Sequence, residues 1–232
     1  MSSNHLKRLA MPRSWPLPRK TSVWVTRPSP GAHSLELCMP ITLVVRDVLG
    51  MAKTAREVRF ILHNELAQVD GRVVKDTRRG VGLMDVLSVG DEHFRCVLDH
   101  NGRLRYRPIS AAEASWKVCR IEGKTTIKGG QTQLNLHDGR NIIVDDPQAY
   151  STGDSLKLNL PDQKILEHIR FGEGTRCFLI GGAHVGSTSE VKEYITKRSS
   201  MPNEVQFDGF DTVARNVFAI GDATLPLTEV TQ

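Results

Sequence analysis

The sequence predicts a mixed α+β chain, mostly β: an extended basic N-terminal arm, a small α+β unit, a central β-barrel-like domain and a C-terminal SH3-like barrel. Three observations predict it. Six of the eleven prolines (Pro12, Pro16, Pro18, Pro28, Pro30 and Pro40) fall in the first forty residues, where each fixes φ and disfavours helix in the residue before it. Turn dipeptides such as Asp70-Gly71, Asn101-Gly102, Gly129-Gly130 and Asp138-Gly139 recur between short apolar runs. Helical patterning is confined to 41–63 and to Ile109–Ser115. The expected parts are 1–40, 41–90, 91–170 and 171–232.

The arm carries the chain's charge excess. Lys7, Arg8, Arg13, Arg19, Lys20 and Arg27 stand against the single acid Glu36; with 31 basic and 26 acidic residues overall, the remainder holds 25 of each. Trp15 and Trp24 lie among these cations. Basic groups neutralise phosphates and indoles stack on bases, so the arm reads as a segment that orders on RNA. A secretory signal is excluded because prolines and cations interrupt every apolar stretch. A transit peptide fits the composition in part, but the proline spacing opposes its amphipathic helix.

Beyond the arm, Ile41–Leu49 is a short apolar run stopped by Gly50. Thr54, with Glu57 three residues on, is a helix start of the capping-box kind. At about 100° per residue Val58, Ile61 and Leu62 share one face, and Arg56, Arg59 and His63 the opposite one. Asp70-Gly71 between Ala67-Gln68-Val69 and Arg72-Val73-Val74 is the strongest hairpin signal in the chain. From Asp91 the pattern is β: Phe94–Leu98 and Leu104–Arg107 flank Asn101-Gly102, and Ser110 with Glu113 caps a short helix. Strands follow at Trp116–Ile121, Thr125–Ile127, Gln133–Leu136, Asn141–Val144, Leu156–Leu160 and Lys164–Ile169, as in a small barrel. Cys177–Ile180, Val191–Ile195, Glu204–Phe207, Thr212–Val213 and Val217–Ile220 suffice for a five-strand barrel.

Catalytic and cofactor chemistry finds no foothold. No apolar run approaches the roughly 20 residues a membrane helix needs. Cys38, Cys96, Cys119 and Cys177 form no CxxC pair and none lies beside a histidine at metal-ligand spacing, which points to reduced thiols in a cytoplasmic protein without zinc. Arg215–Ala223 looks like a late flavin-binding strand, but no GxGxxG accompanies it to seat a pyrophosphate. The sequence has no GxSxG, HExxH or P-loop, and Asp145-Asp146 before Pro147 reads as a solvated turn. No cofactor, metal or small-molecule substrate is expected.

Several separate motifs then resemble one family. The arm matches through His5-Leu6-Lys7-Arg8, Pro12-Arg13-Ser14-Trp15, Pro18-Arg19-Lys20, Trp24 and Pro30-Gly31-Ala32-His33. Val45–Leu49, Thr54–Arg59, Val69–Asp76 and Gly82–Val86 match an S4-type RNA-binding module. Gly129-Gly130 and Gln133–Asn141 match the central domain, and Gly181-Gly182 with Gly186 looks like a KOW-type barrel. Together they resemble the archaeal and eukaryotic small-subunit ribosomal protein S4e family over nearly the whole length. The end at Gln232, without the longer basic tail of eukaryotic members, points to the archaeal branch.

The resemblance implies a non-enzymatic ribosomal protein of the cytoplasmic small subunit, with small-subunit rRNA and neighbouring ribosomal proteins as partners. It implies RNA contacts by Arg46, Lys53, Arg56, Arg59, Arg72 and Lys75; Arg78 and Arg79 join them on charge, as do His5 and the arm's cations and tryptophans. Two other classes share such a module, RNA-modifying enzymes and free regulatory RNA binders. The first needs a large α/β catalytic domain, and the residues after Asp91 lack that pattern. Ser189 stands where the KOW pattern has a second glycine, so a turn there needing φ > 0 would be strained.

Overall fold

In a computed structural model of the protein, residues 4–223, 225 and 226 are described. The chain divides into two compact units, Met1–Lys117 and Val118–Gln232. The expected boundary at 90/91 falls at the turn of a hydrogen-bonded hairpin, and the strands after it belong to the same sheet as those before it.

In the first unit the prolines do keep the arm from forming long elements. It contains β1 (Leu6–Lys7), β2 (Trp24–Val25) and single helical turns at Arg8–Ala10 and Leu35–Leu37. β1 and β2 pair antiparallel, with Leu6 opposite Val25 and Lys7 opposite Trp24. The arm is nonetheless part of the core. Met11, Trp15 and Val25 are buried, the Trp15 indole Nε1–H donates to the Cys38 carbonyl at 2.8 Å, and the Leu104 N–H donates to the Ser14 carbonyl at 2.7 Å.

After β3 (Cys38–Pro40), α1 (Ile41–Leu43) runs on into a wider turn, Val44–Val48. There the Leu49 N–H reaches back five residues to the Val44 carbonyl at 2.9 Å, a π-type bond. Gly50, at φ 69°, ends it in the left-handed conformation. α2 (Ala55–His63) begins as its sequence indicates: the Thr54 hydroxyl oxygen accepts the Glu57 N–H. The Glu57 carboxylate, though, reaches one residue further back than in a capping box, accepting the Lys53 N–H at 2.8 Å. Val58 and Leu62 are buried on one side, and Arg56, Arg59 and His63 are exposed on the other.

β4 (Ala67–Val69) and β5 (Arg72–Val73) form the hairpin. Asp70 and Gly71 both have positive φ, 52° and 73°, which makes it a type I′ turn. β6 (Gly80–Gly82) pairs with β3. β7 (Val86–Val89), β8 (Glu92–Leu98) and β9 (Leu104–Ile109) extend the main sheet to the order β5-β4-β7-β8-β9. α3 (Ala111–Ala114) carries a full Ser110/Glu113 capping box and leads to β10 (Trp116–Thr126).

In the second unit β10 joins β11 (Thr132–Leu136), β12 (Asn141–Val144), β13 (Ser155–Asn159) and β14 (Ile165–Ile169) in the order β12-β11-β10-β13-β14. The strands expected at 116–121 and 125–127 are one, with a register shift between Ile121 and Gly123. Cys119, Ile121, Leu134, Leu136, Val144, Leu156 and Leu158 form its apolar core. The rest forms two three-stranded sheets. In one, β15 (Arg176–Leu179) lies between β16 (Thr188–Glu190) and β20 (Val217–Ala219); in the other, β18 (Glu204–Gln206) lies between β17 (Glu193–Ile195) and β19 (Asp211–Val213). Ser189 sits in β16 opposite Cys177. The left-handed positions near it are Gly182 and Gly186, so the serine carries no such strain.

Candidate nucleic-acid interface

Two kinds of cation occur in the first unit, and burial separates them. The interior holds Lys117, fully buried. Its Nζ donates to Asp85 Oδ1 at 2.5 Å and to Asp70 Oδ2 at 3.0 Å. His33 Nε2 lies 2.9 Å from both Asp85 oxygens, and Asp85 also accepts the Gly82 N–H. A Cβ on Gly82 would stand 2.4 Å from the His33 ring, so glycine is required for this close approach. Burial pushes the Asp85 carboxyl up, but Lys117 and His33 beside it outweigh that and hold it far below the usual carboxylate range. Asp70 does two jobs: its backbone makes the hairpin turn, and its Oδ1 accepts the Val86 N–H at 2.9 Å. Arg95 is also interior. Its guanidinium lies 3.9 Å from the Trp116 ring centroid and donates to the Glu113 and Trp116 carbonyls. Burial lowers its pKa to about 10, so it stays charged at neutral pH.

The exposed cations form the candidate interface. Lys53, Arg56 and Arg59 stand on and beside the outer side of α2, with Arg72, Lys75 and Arg79 on and after the hairpin. Lys75 pairs with Glu65 at 2.6 Å, but both are more than half exposed, and such pairs are easily exchanged for another anion. On the arm, His5, Lys7, Arg13, Lys20 and Trp24 are exposed. Arg19, Arg27, Arg46 and Arg78 are half-buried, and three of these side chains are anchored: Arg19 Nη1 donates to the Leu9 carbonyl at 2.9 Å, Arg78 Nε to the Arg27 carbonyl at 3.1 Å, and Arg46 forks onto Asp47 with two bonds of 2.8 Å.

Two arm residues expected to touch RNA lie inside the fold. Trp15 is 2% exposed and Arg8 8%. The Trp15 ring fills the core, and Arg8 donates from Nε to the Pro18 carbonyl at 2.6 Å and from Nη1 to Ser22 Oγ at 3.2 Å. Both hold the arm in shape, because an indole or guanidinium inside a fold must spend its donors on internal acceptors.

Sequence reasoning missed other residues. Arg103 lines a groove of about 760 Å³ with Arg13 and Arg19; its position just after the Asn101-Gly102 turn was the available signal. Phe60 is 68% exposed beside Arg56 and Arg59, visible as an apolar residue off the helix's buried face. Cys119, His137 and Asp138 bring three ligand-type atoms within 4.8 Å of one another, which linear spacing hid. That cluster is internally bonded: Arg140 Nε pairs with Asp138 at 3.2 Å, and the Arg120 N–H donates to His137 Nδ1 at 3.2 Å.

Fold and surface together define a class: a mostly β protein whose first unit turns a cationic helix–hairpin face and a basic arm outward. The comparisons make that class particular. The family described as "Ribosomal family S4e" matches residues 90–165, and the "RS4NT (NUC023) domain" matches residues 2–36. The small ribosomal subunit protein eS4 of Methanosphaera stadtmanae is 44% identical over 226 residues, 95% of this chain and 93% of the relative. That of Methanocaldococcus jannaschii is 43% identical over 94% of each. The crystal structure of the 30S ribosomal protein S4e from Thermoplasma acidophilum superposes with a TM-score of 0.72 at 34% identity, covering 80% of this chain and 95% of that one. The chain belongs to the ribosomal protein S4e family.

Proposed function

We propose that this chain is a structural constituent of the small ribosomal subunit that binds and stabilises folded rRNA in translation and catalyses no reaction. Membership of the S4e family carries the assignment to the cytoplasmic ribosome. One observation carries the mode of binding: in the first unit the buried cations Arg8, Arg95 and Lys117 are spent on internal acceptors, while the cations of α2 and the hairpin face outward. That unit holds 19 Lys and Arg against 11 Asp and Glu, a net +8. The contacts run through Lys53, Arg56, Arg59, Arg72, Lys75 and Arg79 on the module, and through Lys7, Arg13, Arg19, Lys20 and Arg27 on the arm. Such contacts confer affinity and register more than sequence readout.

The second unit has 12 Lys and Arg against 15 Asp and Glu, a net −3, which suits neighbouring ribosomal proteins or the subunit's solvent side better than phosphate. We read the β15–β16 connection, with Gly181, Gly182 and Gly186, as its KOW-type element. No helix among the described residues is long and apolar enough to cross a membrane. Sedimentation of cell lysate at physiological salt tests the assignment: the chain should travel with small subunits, and finding it only in the free fraction would overturn the reading.

A further inference from the structure

The arm hairpin and the module, separate in sequence, share a groove. It has a volume of about 560 Å³ and is lined by Trp24 and Arg27 of the arm, by Arg46 after α1 and by Arg78 after the hairpin. That size lies within the roughly 300–1,000 Å³ typical of small-ligand sites. We propose that it seats one unstacked nucleotide of the bound rRNA, with the base against the Trp24 indole and its phosphates among Arg27, Arg46 and Arg78. The proposal rests on the rRNA-binding reading above.

Three features argue for this ligand. Trp24 is 55% exposed, unusual for a side chain with so much apolar surface. The β1–β2 register holds it there: Lys7 stands opposite Trp24 and Leu6 opposite Val25, so the pleat puts Trp24 and Lys7 on one face and turns buried Val25 to the other. His5, two residues before Lys7, packs on the same indole at 5.6 Å between centroids, and Lys7 Nζ lies 5.6 Å from it. The platform is thus built and cation-edged.

The arginines are already positioned. Arg46 spends Nε and Nη2 on Asp47, and Arg78 spends Nε on the Arg27 carbonyl. Each guanidinium is thereby fixed by one edge, so less side-chain freedom is lost when a phosphate binds the other. Arg27, Arg46 and Arg78 come from three chain segments and the groove's lining holds no acidic side chain, the nearest acids being Asp47 beside Arg46 and Asp76 beside Arg78, so the groove favours an anion. An indole beside the phosphate-binding groups adds a reason for a base. A duplex offers phosphates but keeps its bases stacked inside, so only an unpaired nucleotide satisfies both parts.

The test uses the full chain with two labelled probes, a short single-stranded oligoadenylate and a short RNA duplex, followed by fluorescence anisotropy. Trp24→Ala should weaken oligoadenylate binding about tenfold and leave duplex binding within about twofold, while Trp24→Phe keeps most of the single-strand affinity. Circular dichroism checks that both variants fold, as expected for so exposed a side chain. Equal loss on both probes, or loss on neither, overturns the nucleotide site while leaving rRNA binding intact. Displacement of oligoadenylate by polyglutamate at equal concentration makes the groove a site for acidic protein segments and also overturns it. Failure of the wild-type chain to bind small-subunit rRNA transcript at all removes the reading beneath.

Discussion

The first unit carries net +8 and the second net −3, although the stretch after residue 40 is neutral as a whole. That neutrality hides a division: residues 41–117 hold 13 basic and 10 acidic side chains, and the second unit reverses the sign. The arm's excess therefore sits on a module of the same sign, where fields add over about a Debye length of 8–10 Å. The units also differ inside. The first buries an ionic cluster of Lys117, Asp70, Asp85 and His33, whereas the sheet of the second closes over an apolar core. An outward cationic face and a buried ionic cluster reside in the same half, because Asp70 and Asp85 are held inside around Lys117 while Lys53, Arg56, Arg59, Arg72 and Arg79 stand exposed.

The largest expected effect breaks the interior of the first unit. Lys117→Met leaves two carboxylates buried without their cation and should cost roughly 3–5 kcal/mol. All three tryptophans, Trp15, Trp24 and Trp116, belong to the first unit, Trp116 at its end where β10 begins, so urea unfolding followed by tryptophan fluorescence reports on that unit. An unchanged midpoint would mean the cluster contributes little.

Acid probes the same contrast. Asp85 has a folded pKa well below its usual value, so its contribution is present above about pH 4 and is lost as pH falls below that. The fluorescence midpoint should drop between about pH 4 and pH 2, and less steeply in Asp85→Asn. A midpoint that rises with acid would mean that the Asp85 carboxylate destabilises the fold.

The smallest effects compare the two surfaces. Arg59→Ala should leave stability within about 0.5 kcal/mol and lower the salt slope of rRNA binding by about one. Arg198→Ala, equally exposed in the second unit, should change neither. Filter binding across a salt series checks both, and equal slopes for the two variants would dissolve the distinction between the units. Point substitutions are the sharper tool, because deleting the arm would also remove Trp15 and Met11 from the core.

Local rules made much of this legible. The Thr54 start of α2, its buried and exposed faces, the Asp70-Gly71 turn and the Ser110 cap each depend on residues within four positions of one another, and each appears as read. Short strands without a strong alternation were harder: β6 and β7, which complete the module, lie in a stretch where Val81 through Leu87 are continuously buried, and period-2 patterning fails when both faces are covered.

The residues by themselves determined the mostly β class, the turn positions, the basic arm and the helix face, because these follow from backbone preferences and near-neighbour spacing. Only the tertiary structure decided which cations are available. Arg8 and Arg59 are indistinguishable by type, yet one is tied to Pro18 and Ser22 inside the arm and the other stands exposed on α2. Trp15 and Trp24 divide in the same way. Burial depends on contacts between residues far apart in sequence, such as Trp15 with Cys38, Asp70 with Lys117 and Arg27 with Arg78, and no local pattern encodes which distant groups will meet.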